Sequence, residues 1–281
     1  MTTRARAPWW VFAALAFGML LSIGPFVWML LGAFKTNADL IRVTPTLLPE
    51  RWTLDNFSRL FSEGQVGRYV LNSTAITVVV TLANLLFCSM AGYALGKLRF
   101  LGDRVLTGVV LATLMVPGSV TLIPLFVLMS TLGLVNSYAA VTVPFFAGAF
   151  GVFLMRQSMQ SVPDDIVNAA RIDGAGEWTI FSRIVMPQLK PALAALAVFE
   201  FLSTWNNFLW PLVVLNDQER FTLPVAVAMF AIGEYTTDYG LLMAGSVVLI
   251  APVIVLFVAL QRYFVPAIAL PAHFRTLRNR N

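Results

Sequence analysis

Between residues 105 and 155 the chain runs for 51 residues without a charged side chain, and this one stretch excludes most folds. As one helix at ~1.5 Å per residue it would be far longer than a hydrocarbon core of roughly 30 Å is thick. It must fold back on itself. Gly133 and Asn136 interrupt the apolar pattern at Leu132-Gly133-Leu134-Val135-Asn136-Ser137, which puts the turn there and predicts spans over 105–131 and 138–155. Further apolar runs predict spans over 9–34, 70–95, 192–215 and 241–260. With 58% hydrophobic and 12% charged residues, the chain carries more apolar surface than a water-soluble core of 281 residues can hide. The expectation is an all-α polytopic membrane protein with six transmembrane helices, since an open sheet edge would leave backbone groups unpaired in lipid.

Lys and Arg concentrate at the cytoplasmic ends of spans. With the N-terminus inside, the inner segments hold 13 of the 19 basic residues, among them Arg4, Arg6, Lys97, Arg99, Arg104, Arg156, Arg171, Arg183 and Lys190. The outer segments hold the other six against eight acids. Both termini are therefore expected in the cytoplasm. The chain divides into a first helix with an extracytoplasmic segment (1–65), a five-helix core (66–265) and a basic cytoplasmic tail (266–281). The first helix follows Arg4 and Arg6 as a secretory signal would, but its apolar run exceeds an h-region and no small-x-small site follows, so it is expected to stay uncleaved. The net charge of +5 borders spans rather than covering one face of a soluble domain, so no nucleic acid is expected as a partner.

Cys88 is alone in the middle of the second span and reads as a packing residue. His273 is equally solitary, near the basic tail, and no metal site is expected. The run Gly92-Tyr93-Ala94-Leu95-Gly96-Lys97-Leu98 fails as a phosphate loop: only three residues separate its glycines, and Leu98 replaces the hydroxyl that would hold magnesium. It reads instead as a close-packing Gly-x-x-x-Gly followed by a cytoplasmic anchor. No cofactor is expected on this chain.

The cytoplasmic loop 162–187 is different in kind. Pro163, Asp164 and Asp165 have the composition of a helix start, and Ile166, Ala169 and Ala170 then share one face. Gly174 is placed to end that helix, and a second short helix should carry Trp178, Phe181, Ile184 and Val185 on a stripe before Pro187 stops it. Two readings of this helix–turn–helix stand open: an amphipathic loop resting on lipid headgroups, or small alanines shaped for a partner's cleft.

The segment Val162-Pro163-Asp164-Asp165-Ile166-Val167-Asn168-Ala169-Ala170-Arg171-Ile172-Asp173-Gly174-Ala175 through Pro187 resembles the E-A-A-x-x-x-G-x(9)-I-x-L-P loop of ATP-binding-cassette importer permeases. Asn168 stands where that family usually has Glu, and Met186 where it usually has Leu. Trp205-Asn206-Asn207-Phe208-Leu209-Trp210-Pro211-Leu212 resembles the W-N-x-F-x-x-P-L signature of the carbohydrate branch, specifically the second permease of maltose-type systems. Met115-Val116-Pro117, Pro124-Leu125 and Arg262-Tyr263-Phe264-Val265 are similar as well, whereas the tail after Val265 departs from the family.

The resemblance implies a type I ABC importer (MetI-like) permease fold in a prokaryotic inner membrane. It implies a homologous second permease, a dimer of cytoplasmic ATPases that holds ATP and magnesium, an extracytoplasmic solute-binding protein and a carbohydrate substrate. Asp165, Asn168, Ala169, Ala170, Asp173, Gly174, Ile184 and Pro187 would then couple to the ATPase.

In span five, Glu200 is the only charge within a span, and Ser203, Thr204 and Asn207 follow it at i+3, i+4 and i+7. This polar stripe is a candidate cavity lining, with Trp205 or Trp210 offering an aromatic face to a sugar ring and Asn206 or Asn207 offering hydrogen bonds. The same stripe could pack against a companion permease, with Trp210 in an interfacial belt. The competing function is a secondary transporter with Glu200 as its ion site. An intramembrane enzyme would need a second catalytic group in the bilayer. On the outer side, 223–233 is too short to span and is expected to form a short helix at the mouth.

Overall fold

The computed structural model describes residues 8–62, 65–232 and 238–269, and among these every regular element is helical. His273 and the basic cluster near the C-terminus lie outside the described residues. The chain forms two compact units, Met1–Gly67 with Ala226–Pro252 and Arg68–Val225 with Val253–Asn281.

The first unit holds α1 (Trp9–Ala33), α2 (Asn37–Leu40), α3 (Asp55–Ser62) and the start of a long terminal helix. Almost all of α1 is exposed, as befits an apolar helix whose neighbours are lipid or other chains. Its last carbonyls would be orphaned, and Asn56 closes them: Nδ2 donates to the Ala33 oxygen at 2.9 Å and to the Lys35 oxygen at 2.7 Å. Lys35 is itself 2% exposed, with its ammonium donating to the Thr46 carbonyl and standing 4.9 Å from the Trp28 ring centre.

The second unit begins with α4 (Val66–Lys97), which enters from the first. The 105–131 span is not one straight helix. It consists of α5 (Asp103–Leu114) and α6 (Gly118–Thr131), bent by 105° at the break between them. Pro117 has no amide hydrogen to continue the ladder of α5, and its extended backbone starts α6 afresh. Among the described residues, five helices are long and apolar enough to cross a membrane, or six if the bent pair is one span.

The predicted turn lies where Gly133 and Asn136 put it, with φ of +67° and +60°. The fourth span follows as α7 (Tyr138–Thr142), a 3₁₀ turn and α8 (Ala149–Met159). Here Pro144 leaves the Ala140 carbonyl without its helical donor, and Trp210 Nε1 supplies one at 2.9 Å.

Beyond α8 come α9 (Asp164–Ile172), α10 (Glu177–Thr179), α11 (Lys190–Trp205), α12 (Leu209–Val214), α13 (Leu223–Met229) and α14 (Tyr239–Ala269). The short helix expected over 223–233 is thus present as α13. Cys88, Met155, Met159, Ile180, Val185 and Leu196 form a core at one end of the unit. Against it, α4 and α8 come into backbone contact. A Cβ added at Gly92 would stand 2.7 Å from Met155 Cβ and 2.8 Å from the Arg156 nitrogen, so the Gly-x-x-x-Gly pair does allow a close approach.

Candidate functional site

The site is the ledge formed by the end of α4, α9 and the chain leading into α11. Helix α9 starts after Pro163, with Asp164 and Asp165 in its positively polarised first turn. It stops at Gly174, whose φ of +80° is open to a residue without Cβ. The amide of Ala175 donates to the Ala170 oxygen at 3.0 Å and that of Gly174 to the Arg171 oxygen at 3.1 Å, the paired bonds of a Schellman cap.

The face expected to join Ile166, Ala169 and Ala170 is split between core and surface. Val167 and Ala170 are buried against the core, while Ile166 is 42% exposed and Ile172 87% exposed. Ala169 faces outward and Ala170 inward, so the two alanines do not share one outer surface. Val167, one methylene smaller than Ile166, is the residue that fills the core position beneath α9. Asp165, Asn168 and Asp173 lie on exposed positions.

Both ends of α9 are tied to α4. At the N-terminal end Lys97, its side chain 4% exposed, donates to the Val162 carbonyl at 2.6 Å and to Asp164 Oδ1 at 2.5 Å. The hydrogen bond and charge of Lys97 hold the Asp164 carboxyl below the usual carboxylate range. At the C-terminal end Arg171 Nε donates to Glu177 Oε1 at 2.7 Å, and the Tyr93 hydroxyl donates to Glu177 Oε2 at 2.5 Å. The Glu177 hydrogen bond raises the Arg171 guanidinium further above its ordinary value. Arg171 Nη1 also reaches Asn168 Oδ1 at 3.2 Å, so the residue at the family's usual Glu position here accepts from a neighbour one turn away. An open cavity of about 1050 Å³ lies alongside, lined by Lys97, Arg99, Asp103, Asp164, Asn168 and Arg171 among others.

The second helix differs from its expectation. Pro187 does not stop it: α10 passes into a π-helical turn (Ile180–Val185), then a 3₁₀ turn (Met186–Leu189), then α11. Pro187 is accommodated at the first positions of the 3₁₀ turn, where its missing amide hydrogen costs little. Phe181 and Val185 are buried and Ile184 packs against the core, but Trp178 is 62% exposed, so the stripe splits where the helix changes pitch.

The polar stripe of span five is shorter than expected. Helix α11 ends at Trp205, so Asn206 and Asn207 lie in the break before α12 and Asn207 does not continue the row. Glu200 remains on it, accepting from Thr204 Oγ1 at 3.3 Å, and Ser203 is exposed. Trp205 is 1% exposed and stacks on Phe201 at 5.8 Å. Trp210 is 5% exposed and spends its donor on Ala140. Neither indole presents an open face, which corrects their expected role as sugar platforms.

Sequence reasoning assigned Tyr93 no role beyond its place in the glycine run, and it assigned Glu177 none. Their signal is present: Tyr93 and Lys97 are one helical turn apart at the end of an apolar span, each with a polar tip that needs a partner. No group of three or more His, Cys, Asp or Glu suited to a metal ion occurs among the described residues.

Comparison with known proteins agrees with this architecture. The chain is 40% identical over 260 residues to the arabinooligosaccharides transport system permease protein AraQ of Halalkalibacterium halodurans, covering 92% of this chain and 93% of that protein. It is 38% identical to the lactose transport system permease protein LacG of Rhizobium radiobacter, over 94% and 96% of the two chains. A chain from the crystal structure of a bacterial ABC transporter involved in the import of the acidic polysaccharide alginate superposes with a TM-score of 0.83 at 25% identity, covering 94% of this chain and 99% of that one. A secondary transporter built on Glu200 gains no support from these likenesses, and the chain is a transport component rather than an enzyme. Residues 88–270 match the family described as binding-protein-dependent transport system inner membrane component, and the chain belongs to that family of ABC importer permeases.

Proposed function

We propose that this chain is one of two homologous permeases of a sugar importer in a prokaryotic inner membrane, with both termini cytoplasmic. The partner permease completes the pathway, a dimer of cytoplasmic ATPases holds ATP and magnesium, and an extracytoplasmic binding protein delivers the sugar. The sugar class rests on the named solutes of the relatives, arabino-oligosaccharides and lactose. Closure of the ATPase dimer would displace α9, and the bundle would rock between inward-facing and outward-facing states. Glu200, Ser203, Thr204, Asn206 and Asn207 are the proposed polar groups of the pathway in this chain.

The observation that carries the coupling role is the outer surface of α9. Ile172 is 87% exposed and Ile166 42% exposed on a helix whose other face and both ends are fixed. An apolar ridge held rigidly and left uncovered by its own chain suits a partner's groove. The test is co-purification with the cognate ATPase from detergent, comparing wild type with Ile172→Asp and Ala169→Asp. Ala170→Asp is unsuitable because Ala170 is 8% exposed and the change would disturb the loop itself. Wild type should retain the ATPase and the two outward-facing variants should lose it. Retention by both variants would place the ATPase contact elsewhere.

A further inference from the structure

The two ties on α9 come from the same face of the same helix. Tyr93 and Lys97 are four residues apart on α4, one turn along its axis. Lys97 holds the start of α9 through the Val162 carbonyl and Asp164, and Tyr93 holds its end through Glu177 and Arg171. Each tie includes a charge-assisted hydrogen bond, the stronger and more directional kind. Both α4 residues are buried, with Tyr93 packed on Phe181 at 5.4 Å between ring centres, so their own positions are fixed.

On its other side α4 is locked to α8. The glycine seam brings the two backbones together, and Arg156 Nε donates to the Leu95 carbonyl at 3.3 Å. The covalent route from α9 to α11 is built differently. It passes through a π turn and a 3₁₀ turn, whose hydrogen-bond geometry is poorer than that of an α-helix and which often mark hinges. A push on α9 therefore reaches α4 and α8 through fixed polar contacts as well as α11 through this joint.

We propose that Tyr93 and Lys97 are positioning residues that clamp the coupling helix to α4 at two points, so that α9, the cytoplasmic end of α4 and α8 move as one block. The clamp rests on the reading that α9 receives the ATPase stroke. Removing either tie lets α9 pivot on the other, and removing both sends the stroke only through the joint.

Spin labels at Leu82→Cys, 62% exposed on α4, and at Gly176→Cys, where an added Cβ meets nothing within 4 Å, read the distance across the clamp. The complex with the cognate ATPase is measured before and after magnesium ATP with vanadate. In an otherwise wild-type background the distance distribution should not move. In Tyr93→Phe with Lys97→Met it should shift or broaden on nucleotide binding, whereas Lys97→Arg alone, which keeps a cation in one tie and leaves the other intact, should keep the distance fixed. If the double variant inserts poorly, Tyr93→Phe with Asp164→Ala removes one bond from each tie while sparing the buried amine.

A distance that already moves in the wild-type background, or stays fixed in the double variant, overturns the clamp. ATPase retention on the same samples separates the two ideas. Loss of the ATPase from wild type refutes the coupling reading, whereas retention with a moving distance refutes the clamp alone.

Discussion

Gly92→Ala is a one-carbon test of how closely α4 and α8 approach. The added Cβ would lie 2.7 Å from Met155 Cβ and 2.8 Å from the Arg156 nitrogen, and the second is backbone that no rotamer can move aside. Carbon contacts prefer about 3.5–4.0 Å, so the helices must part by roughly 1 Å, and a gap of that size forfeits about a quarter to a half of each contact's attraction. Spread over the atoms that face each other along the seam, the loss is on the order of 1 kcal/mol. The Arg156 to Leu95 hydrogen bond, 3.3 Å long, stretches with it and contributes about 1 kcal/mol more. The sum, about 2 kcal/mol, lies within the usual ~1–3 kcal/mol for overpacking. At ~2–4 °C per kcal/mol, the unfolding midpoint should fall by about 4–8 °C. Thermal unfolding of the detergent-solubilised chain, followed by its tryptophan fluorescence, measures this. Gly96→Ala should cost less, because its nearest contacts are 3.0 and 3.4 Å, and Gly108→Ala nothing, because its Cβ meets no atom within 4 Å. A Gly92→Ala protein as stable as Gly108→Ala would refute the close approach.

Two further outcomes follow from individual contacts. Trp210→Phe keeps the ring but strips the Ala140 carbonyl of a donor that Pro144 cannot supply, so it should cost ~1–3 kcal/mol in the same unfolding assay; Pro144→Ala, which restores a backbone donor, should recover part of that loss, and no recovery would show that the bond is not what Trp210 contributes. Asp164 has a carboxyl lowered by Lys97, so their tie contributes above the ordinary value of 3.8 and is lost only as pH falls through the lower folded value; a carboxyl carbon signal of Asp164 that titrates at or above 3.8 in the folded protein would contradict the pairing.

Much of this molecule is written locally. A 51-residue uncharged run can only fold back in a bilayer, and the Gly133 and Asn136 turn and the Pro163 start and Gly174 end of α9 each act within a few residues of themselves. The chain itself therefore determines the helices, their approximate ends and the presence of a helical ledge on one side of the membrane. Packing decided the rest. Whether Ile166 or Val167 turns inward depends on which volume fits the core beneath α9, and periodicity allows both. Pro117 and Pro187 read alike along the chain, yet one stands at a 105° break and the other inside a continuous helical run. The burial of Trp205 and Trp210, and the meeting of Tyr93 with Glu177 across 84 residues, exist only once distant segments are brought together. Backbone hydrogen bonding and transfer into lipid are short-range and can be read along the chain, whereas the partner of a buried polar tip is chosen by three-dimensional proximity.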